Sequence, residues 1–470
     1  MPRLTIIQDG KTKTYAFDAP LRLSDALASF GYAVPHPCGG RGACAKCTVL
    51  LDGCPVLSCR TRVSGDAQVI LPDTLTLIAL AGDEETGRLT QRVCLCLDIG
   101  TTTLALALVS LDEKRIIRSV TAPNPQRVFG ADVISRIDFC MKHGPQPLQR
   151  ALLSRLQEMI DALLGEFSLA CVPVLYAAGN TTMLHLLFGV DCSAMGVSPY
   201  TPAFLDEKVQ SAQALGLRGV QTVISLPGIA AFVGADVVAG MAHIGLPEKG
   251  KHHILLDLGT NAEIALLSEE GILCTAAAAG PCFEGANISC GMSAAAGAVC
   301  ACAPDGSCTV IGGGEAKGLC ATGLIDAIAL GVRYERIDET GYLEEDPMPV
   351  CDGVALTGRD IREFQLAKSA IRAAMECLIR RAGITYEDVS RLYVAGGFCA
   401  GLNVQNAAAV GLIPEELAGK LIGAGNASLL GCIRYACSPE KCVLPLSRAA
   451  YADLSADPLF AQLFMEYMMF

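Results

Sequence analysis

The sequence predicts an α/β chain in which a small, strand-rich segment precedes a duplicated α/β domain. Three observations carry this: amino-terminal strand patterns around a Gly- and Cys-rich loop, a strand–turn–strand unit that occurs twice, and a length of 470 residues. At roughly 150 residues per domain that length is worth about three domains. The hydrophobic fraction of 51% against 18% charged residues excludes a disordered chain.

Residues 4–8 alternate loosely, Asp9-Gly10 is a hairpin signal, and residues 12–17 resume a period-two strand. Leu23-Ser24-Asp25 is expected to cap a short helix with Ala26, Leu27 and Phe30 on one face and Gly31 at its end. The Gly/Cys loop at 37–47 leads into a strand at 48–51 and a turn at Asp52-Gly53. Residues 72–87 lack periodicity and end in an acidic, glycine-containing run. The chain therefore divides into residues 1–75, a linker at 76–92, and two halves at 93–250 and 251–470.

The halves are defined by a repeat. Leu97-Asp98-Ile99-Gly100-Thr101-Thr102 and Leu256-Asp257-Leu258-Gly259-Thr260-Asn261 align without a gap, 159 positions apart, each with a strand before and after it. Farther on, Thr357-Gly358-Arg359-Asp360 reads as a capping box opening a long helix that Gly383 terminates. A short strand at 392–395 then runs into Gly396-Gly397, where backbone can approach a ligand.

A mean hydropathy of +0.42 raises the question of a membrane span. Asp98, Asp236, His243 and Glu284 interrupt the apolar runs, none of which reaches the roughly 20 uninterrupted residues that a bilayer requires. Gln8, Asp9, Lys11 and Lys13 break any apolar signal core, so the chain reads as cytoplasmic, without a membrane partner. Its 23 cysteines are then thiols or metal ligands rather than disulfides. A formal charge of −12 argues against nucleic acid as a partner. Residues 1–75 nevertheless carry eight basic and six acidic side chains, so the negative excess belongs to the remainder and the two parts should meet different partners.

Cys38, Cys44 and Cys47 form a C-x5-C-x2-C loop, and Cys59 follows. Four thiolates, three in a glycine-rich loop, match the ligand pattern of a [2Fe–2S] cluster, with Gly39, Gly40 and Gly42 letting backbone N–H groups close over the sulfides. Zinc is the competing reading, but it favours two short C-x2-4-C pairs and only one is present. Cys54 is the alternative fourth ligand; Pro55 and the turn at Asp52-Gly53 favour Cys59. Arg41, Lys46, Arg60 and Arg62 are either a solvated surface or a docking face for an acidic partner. The five-residue first gap resembles adrenodoxin-like ferredoxins, which implies a β-grasp-like domain.

An Asp-x-Gly-Thr turn after a strand supplies a carboxylate for Mg2+ or its water, N–H groups for phosphate, and hydroxyl donors; paired in register, two such turns can clamp a triphosphate. No Walker A sequence is present. The pair resembles the actin-like ATPase superfamily of acetate and sugar kinases, heat-shock chaperones and actin. That resemblance implies ATP bound by Gly100, Thr101 and Thr102 on one side and Gly259, Thr260 and Asn261 on the other, with Gly396 and Gly397 in the adenosine motif. Asp98 and Asp257 would hold Mg2+ or orient the attacking water. Glu263 is an acid–base candidate or a solvent-facing strand residue. Asn180, with Thr181 and Thr182, either faces the nucleotide or turns into a helix. Asp236 and Glu284 are carboxylates in apolar runs that need partners. His252-His253 are expected on an exposed connection and Cys94 and Cys96 in a core, while Cys300, Cys302 and Cys308 show no complete ligand pattern.

Further segments narrow the match: Ala178-Gly179-Asn180-Thr181-Thr182, Phe232-Val233-Gly234-Ala235-Asp236, Gly280-Pro281-Cys282-Phe283-Glu284-Gly285, and Thr357 through Lys368 with its Gln365-Leu366-Ala367-Lys368 end. With the amino-terminal segment they resemble the reductive activators of corrinoid-dependent enzymes over essentially the whole chain. The resemblance implies an iron–sulfur, ATP-hydrolysing reductase of anaerobic metabolism that reduces Co(II) to Co(I) on the corrinoid protein of a methyltransferase system. It also implies an upstream electron donor and leaves a homodimer open. Only about twenty residues separate the cluster segment from Asp98, so the intermediate domain of longer members is expected to be missing. The energetic logic is independent of family: such clusters work near about −400 mV, and every ~59 mV of uphill transfer costs a factor of ten. Two other readings compete, an ATP-driven donor to a different low-potential metalloenzyme and a nucleotide-gated redox-sensing binding module. On the favoured reading, Cys44→Ala abolishes the visible cluster spectrum and leaves nucleotide affinity unchanged, as absorbance and calorimetry on one preparation would register.

Overall fold

The computed structural model describes residues 2–8, 11–17, 20–32, 48–52, 54–71, 92–259, 261–396, 401–439, 442 and 445–470. The predicted linker falls almost wholly outside them. The chain divides into one unit of residues 1–236 with 432–439 and a second of residues 237–431 with 440–470.

In the first unit, β1 (Arg3–Gln8) and β2 (Lys11–Ala16) form the expected hairpin, with Ile7 opposite Thr12 and Gln8 opposite Lys11. A second hairpin, β3 (Thr48–Leu51) and β4 (Cys54–Leu57), joins it through β5 (Ala67–Ile70), which lies parallel to β1. The sheet order among described strands is β2-β1-β5-β3-β4. Alternation turns Leu4, Ile6, Val49 and Val69 inward onto Leu23 and Leu27 of α1 (Leu23–Ser29), a β-grasp arrangement. The expected cap is displaced: Arg22 holds the N-cap position with no side-chain bond, and Ser24 instead donates to Asp25 inside the first turn.

The same unit continues with β6 (Val93–Ile99), β7 (Thr103–Ser110), β8 (Arg115–Pro123), α2 (Val133–His143), α3 (Gln146–Glu166), β9 (Val172–Gly179), α4 (Thr181–Phe188), β10 (Lys208–Ser211), β11 (Val220–Ser225) and the start of α5 (Ala235–Ile244). Its sheet runs β8-β7-β6-β9-β11-β10. β6, β7 and β8 are antiparallel neighbours, whereas β6, β9 and β11 are parallel. β6 reads as a nearly unbroken apolar run, with Cys94 and Cys96 buried as small core residues, as a strand inside a covered sheet must.

The second unit repeats this plan. β12 (His252–Leu258), β13 (Ala262–Leu267) and β14 (Ile272–Ala277) are antiparallel neighbours. A hairpin of β15 (Ala298–Cys302) and β16 (Cys308–Val310), then α6 (Ala321–Arg333) and α7 (Gly358–Ala382), lead to β17 (Val389–Ala395), parallel to β12. β18 (Leu421–Gly425) lies parallel beyond β17, α8 (Ala427–Cys437) follows, and β19 (Ala449–Tyr451) borders β14 before α9 (Pro458–Glu466). With the edge strands β10 and β19 left out, both sheets run 3-2-1-4-5 when strands are counted in chain order within each sheet. That common order is the duplication predicted from the paired Asp-x-Gly-Thr turns.

The capping box of α7 is present, Thr357 and Asp360 each bonding the other's backbone, and Gly383 ends the helix at φ +67°. His252 and His253 are not on a connection. The apolar run at 254–256 extends the strand back to them, where His252 pairs with Val389 and His253 lies 5.2 Å from the Tyr393 ring.

The Gln365-Leu366-Ala367-Lys368 segment secures the last helix. Gln365 donates to Met468 O at 2.7 Å and to Thr340 O at 3.0 Å, while buried Lys368 donates to Met469 O with its Nζ 4.7 Å from the Phe470 ring. Burial, aided by Arg372, pulls the Lys368 ammonium down from 10.5 to about 8. Above that value the folded chain has released a proton that the unfolded chain keeps until about 10.5, so stability from this group rises with pH across that window. Wild type should therefore gain in melting temperature on Lys368→Met between pH 8 and 10.5; a difference that stays flat would show the charge to be compensated.

Candidate functional site

In the first unit the turn at Gly100–Thr102 leaves β6 where the parallel strand β9 also ends, with Asp98 level with Ala178 and Ile99 with Gly179. Ligand sites in such sheets lie outside the carboxyl ends of the strands, where the connections diverge. A Cβ on Gly100 would stand 2.6 Å from Thr103 O and one on Gly179 3.0 Å from Ile99 O, so the turns approach as closely as glycine allows. Asn180 turns the chain into α4, as one reading expected, and also touches the first turn. Its Oδ1 accepts from Met183 N at 3.0 Å and caps α4, while its Nδ2 donates to Thr101 Oγ1 at 3.3 Å. Thr181 and Thr182 are buried, Thr181 donating to Ala230 O at 2.7 Å. A Cβ on Gly234 would meet Asn180 Cα at 2.6 Å, which sets the start of α5, with Asp236 in its first turn, beside Asn180. Two helix N-termini thus begin next to the first turn, and both favour negative charge.

Sequence reasoning missed what holds this turn. Asn124 donates from Nδ2 to Gly100 O at 2.8 Å and from its backbone to Thr102 O at 2.9 Å. Arg136, fully buried in α2, donates to Thr101 O at 2.5 Å and to Gly130 O at 3.0 Å. The carbonyls of three successive residues are thereby committed to protein donors, the polarity required of a turn that offers donors to an anion. One signal was available: Arg136 falls on the apolar stripe of α2 with Val133, Ile137 and Cys140.

In the second unit, Asp257 is level with Ala395 on β17. Gly396 follows at φ +108°, and its Cβ would come 2.7 Å from Leu258 O. Gly259 donates to Asn261 O at 3.0 Å. Glu263 is the cross-strand partner of Asp257, so the two carboxylates share a face of the sheet with Cβ atoms roughly 5 Å apart. In the first unit the equivalent partner of Asp98 is Ala105. Glu284, in a one-turn helix after β14, lies with its Oε1 3.8 Å from where a Cβ on Gly259 would be. This gathers three carboxylates around the second turn. Thr260 and Gly397 lie outside the described residues.

A second correspondence emerges from the matched sheets. Tyr176-Ala177-Ala178-Gly179-Asn180 ends β9 as Tyr393-Val394-Ala395-Gly396-Gly397 ends β17, each beside its Asp-bearing strand. The shared Tyr-x-Ala-Gly was legible and went unpaired.

Of the cluster candidates, Cys38, Cys44 and Cys47 lie outside the described residues. Cys59 is buried in the turn after β4, within the core of the amino-terminal sheet. Beside it the Ser58 hydroxyl is buried without a hydrogen-bond partner among the described residues. A buried thiol next to an unsatisfied hydroxyl suits a group rich in sulfur acceptors, so this corner fits an iron–sulfur cluster.

Comparison with known proteins matches residues 6–73 to the 2Fe-2S iron-sulfur cluster binding domain, residues 93–249 to the RACo middle region, and residues 251–470 to the C-terminal domain of RACo, the ASKHA domain. The segment matched to the middle region contains Asp98 and coincides with the first strand–turn–strand half. The corrinoid activation enzyme RamQ of Eubacterium limosum is 29% identical over 422 residues, spanning 79% of this chain and 69% of that protein. The [Co(II) methylated amine-specific corrinoid protein] reductase of Methanosarcina barkeri is 28% identical over 381 residues, 71% of this chain and 68% of that protein. A solved structure of a reductive activator for corrinoid, iron-sulfur protein shares the fold across 100% of this chain and 98% of its own, with a TM-score of 0.71 at 23% identity. No described helix is long and apolar enough to cross a membrane.

Arg136→Lys keeps the charge and loses the fork to Thr101 and Gly130. Losing one such bond, worth about 1.4 kcal/mol, should weaken ATP binding roughly tenfold in calorimetry and leave the iron–sulfur absorbance unchanged.

Proposed function

The chain belongs to the RACo family of reductive activators, and from that premise we propose that it couples ATP hydrolysis to one-electron reduction of the cobalt of a corrinoid protein, from Co(II) to Co(I). The observation that carries this reading is the fusion of an iron–sulfur segment to two matched Asp-x-Gly-Thr turns, each set at the carboxyl end of a parallel strand pair.

A [2Fe–2S] cluster held by Cys38, Cys44, Cys47 and Cys59 would supply a single low-potential electron. Gly100, Thr101 and Thr102, backed by Asn124 and Arg136, offer N–H and hydroxyl donors to phosphate oxygens, as do Thr260 and Asn261 in the second turn, which Gly259 shapes by donating its N–H to Asn261 O. Asn180 orients the Thr101 hydroxyl, and Asp236 stands at the adjoining helix start. Asp98 and Asp257 are the carboxylates for Mg2+ and its water shell. Glu263, facing Asp257 across the strand pair, is placed to take a proton from a water that Asp257 orients. Gly396 and Gly397 leave room for the nucleoside.

Cobalt in its lower state lies uphill of a ferredoxin-type donor, so the transfer needs coupling. Nucleotide achieves this only through different affinities for two conformations of the protein, one of which favours electron delivery. The corrinoid protein of a methyltransferase system is the acceptor, and a separate reductant must refill the donor after each turnover.

The test mixes the chain, a reductant and a Co(II) corrinoid protein without oxygen, and follows ATP turnover and Co(I) absorbance together. Co(I) should accumulate only with ATP, and the corrinoid protein should stimulate hydrolysis. Asp257→Ala should lower both by about 100-fold or more and keep the cluster spectrum. Full Co(I) formation without nucleotide would refute the coupling.

A further inference from the structure

The sequence left Cys300, Cys302 and Cys308 without a ligand pattern, and the fold sorts them. β15 carries a bulge at Cys300, whose thiol turns to Thr309 O, whereas Cys302 and Cys308 stand directly opposite each other on β15 and β16 with sulfurs 3.5 Å apart. Ala303 N donates to Ser307 O at 2.8 Å, and Cys302 N is taken instead by the Asp326 carboxylate at 3.1 Å. Cys302 and Cys308 are therefore a non-hydrogen-bonded pair, the kind in which opposite Cα atoms approach to about 4.5 Å, within the range that a disulfide spans. Asp326 is itself fixed by Asn406 at 2.7 Å, so the Cys302 backbone is held in place. Both thiols are half-buried rather than sealed, and Cys302 with Asp326, Thr309 and Asn403 lines a cavity of about 500 Å³ through which a small reagent can arrive. A third thiol, Cys351, neighbours Cys308. Among the described residues no group of His, Cys, Asp and Glu has the arrangement to hold a metal ion.

We propose that Cys302 and Cys308 are a reversible redox pair that closes to a cross-strand disulfide by exchange with a low-molecular-weight disulfide. One protein thiol loses its proton and attacks the reagent's S–S bond, expelling one small thiolate; the second protein thiolate then displaces the other. Two protein S–H bonds become one S–S bond, the reagent is reduced to two thiols, and the two protons end on them. Burial and the adjacent Cys308 thiol keep Cys302 protonated well above neutral pH, so closure is slow at pH 7 and faster in alkali. The use of the pair, though not its existence, rests on the reading above: a closed bridge would mark surroundings too oxidising for Co(I) to survive.

The experiment needs neither ATP nor a corrinoid protein, so its failure is separable from failure of that reading. Full-length protein is incubated without oxygen in glutathione disulfide at pH 7 and pH 9, its free thiols are alkylated, and the products are mapped by mass spectrometry while visible absorbance reports the iron–sulfur centre. The expected result is loss of two alkylatable thiols, mapped to Cys302 and Cys308, several-fold faster at pH 9 and restored by dithiothreitol. Cys302→Ser and Cys308→Ser should each prevent the bridge and show the same cluster spectrum as wild type. Bridging of Cys308 to Cys351, glutathione adducts without a bridge, or both thiols still alkylatable at pH 9 would overturn the proposal.

Discussion

The structure depends on two places where backbone lies directly on backbone. Gly179 sits over Ile99 O in one unit and Gly396 over Leu258 O in the other, each where an Asp-bearing strand and its parallel neighbour end together. A side chain at either position would put its Cβ 3.0 Å from Ile99 O or 2.7 Å from Leu258 O, so the strand ends would have to give way. In the first unit the consequence is visible: only with that approach does Asn180 reach the Thr101 hydroxyl while capping α4. The turn, the helix start and the carboxylate are then positioned by the sheet itself, whose ladder is far stiffer than a loop.

Around that shared plan the units have diverged chemically. The first commits its turn carbonyls to Asn124 and to a buried arginine, and its Asp98 faces an alanine across the strand pair. A buried guanidinium is costly unless its donors are used, and here carbonyl oxygens take them. The second unit has no described counterpart to that cation and instead collects Asp257, Glu263 and Glu284 near its turn. Donor-rich geometry suits phosphate oxygens, whereas neighbouring carboxylates suit a hydrated cation and a proton acceptor. Duplication supplied two copies of one backbone device, and side-chain substitution gave them different surroundings.

What was legible in the sequence follows from how local each signal is. The paired Asp-x-Gly-Thr turns, the hairpin at the amino terminus and the Thr357–Asp360 capping box are written in adjacent residues; the turns announced a duplication, whereas the strand order within each unit is set by pairing between distant residues. The Cys38, Cys44, Cys47 and Cys59 spacing is likewise a sequence observation, with Cys59 and Ser58 as its structural trace. Arg136 was hidden because its partner Thr101 is 35 positions away, and its place on the apolar stripe of α2 signals burial without naming that partner. His252 and His253 were misplaced for the opposite reason: the charged run before them is a strong local signal, overridden by pairing to a strand more than 130 residues later.

That divergence bears on how fuel can be tied to an electron. Positioning donors for a triphosphate lowers the energy of the bound state but drives nothing by itself; work is obtained only if hydrolysis changes what the turns hold. A turn built from committed carbonyls and outward donors is sensitive to the presence of an anion, and a carboxylate cluster to the presence of a cation. The two units therefore differ in the sign of the charge that their turns suit, an anion in the first and a cation in the second. A bias of this kind between two conformations is what uphill delivery of one electron would require.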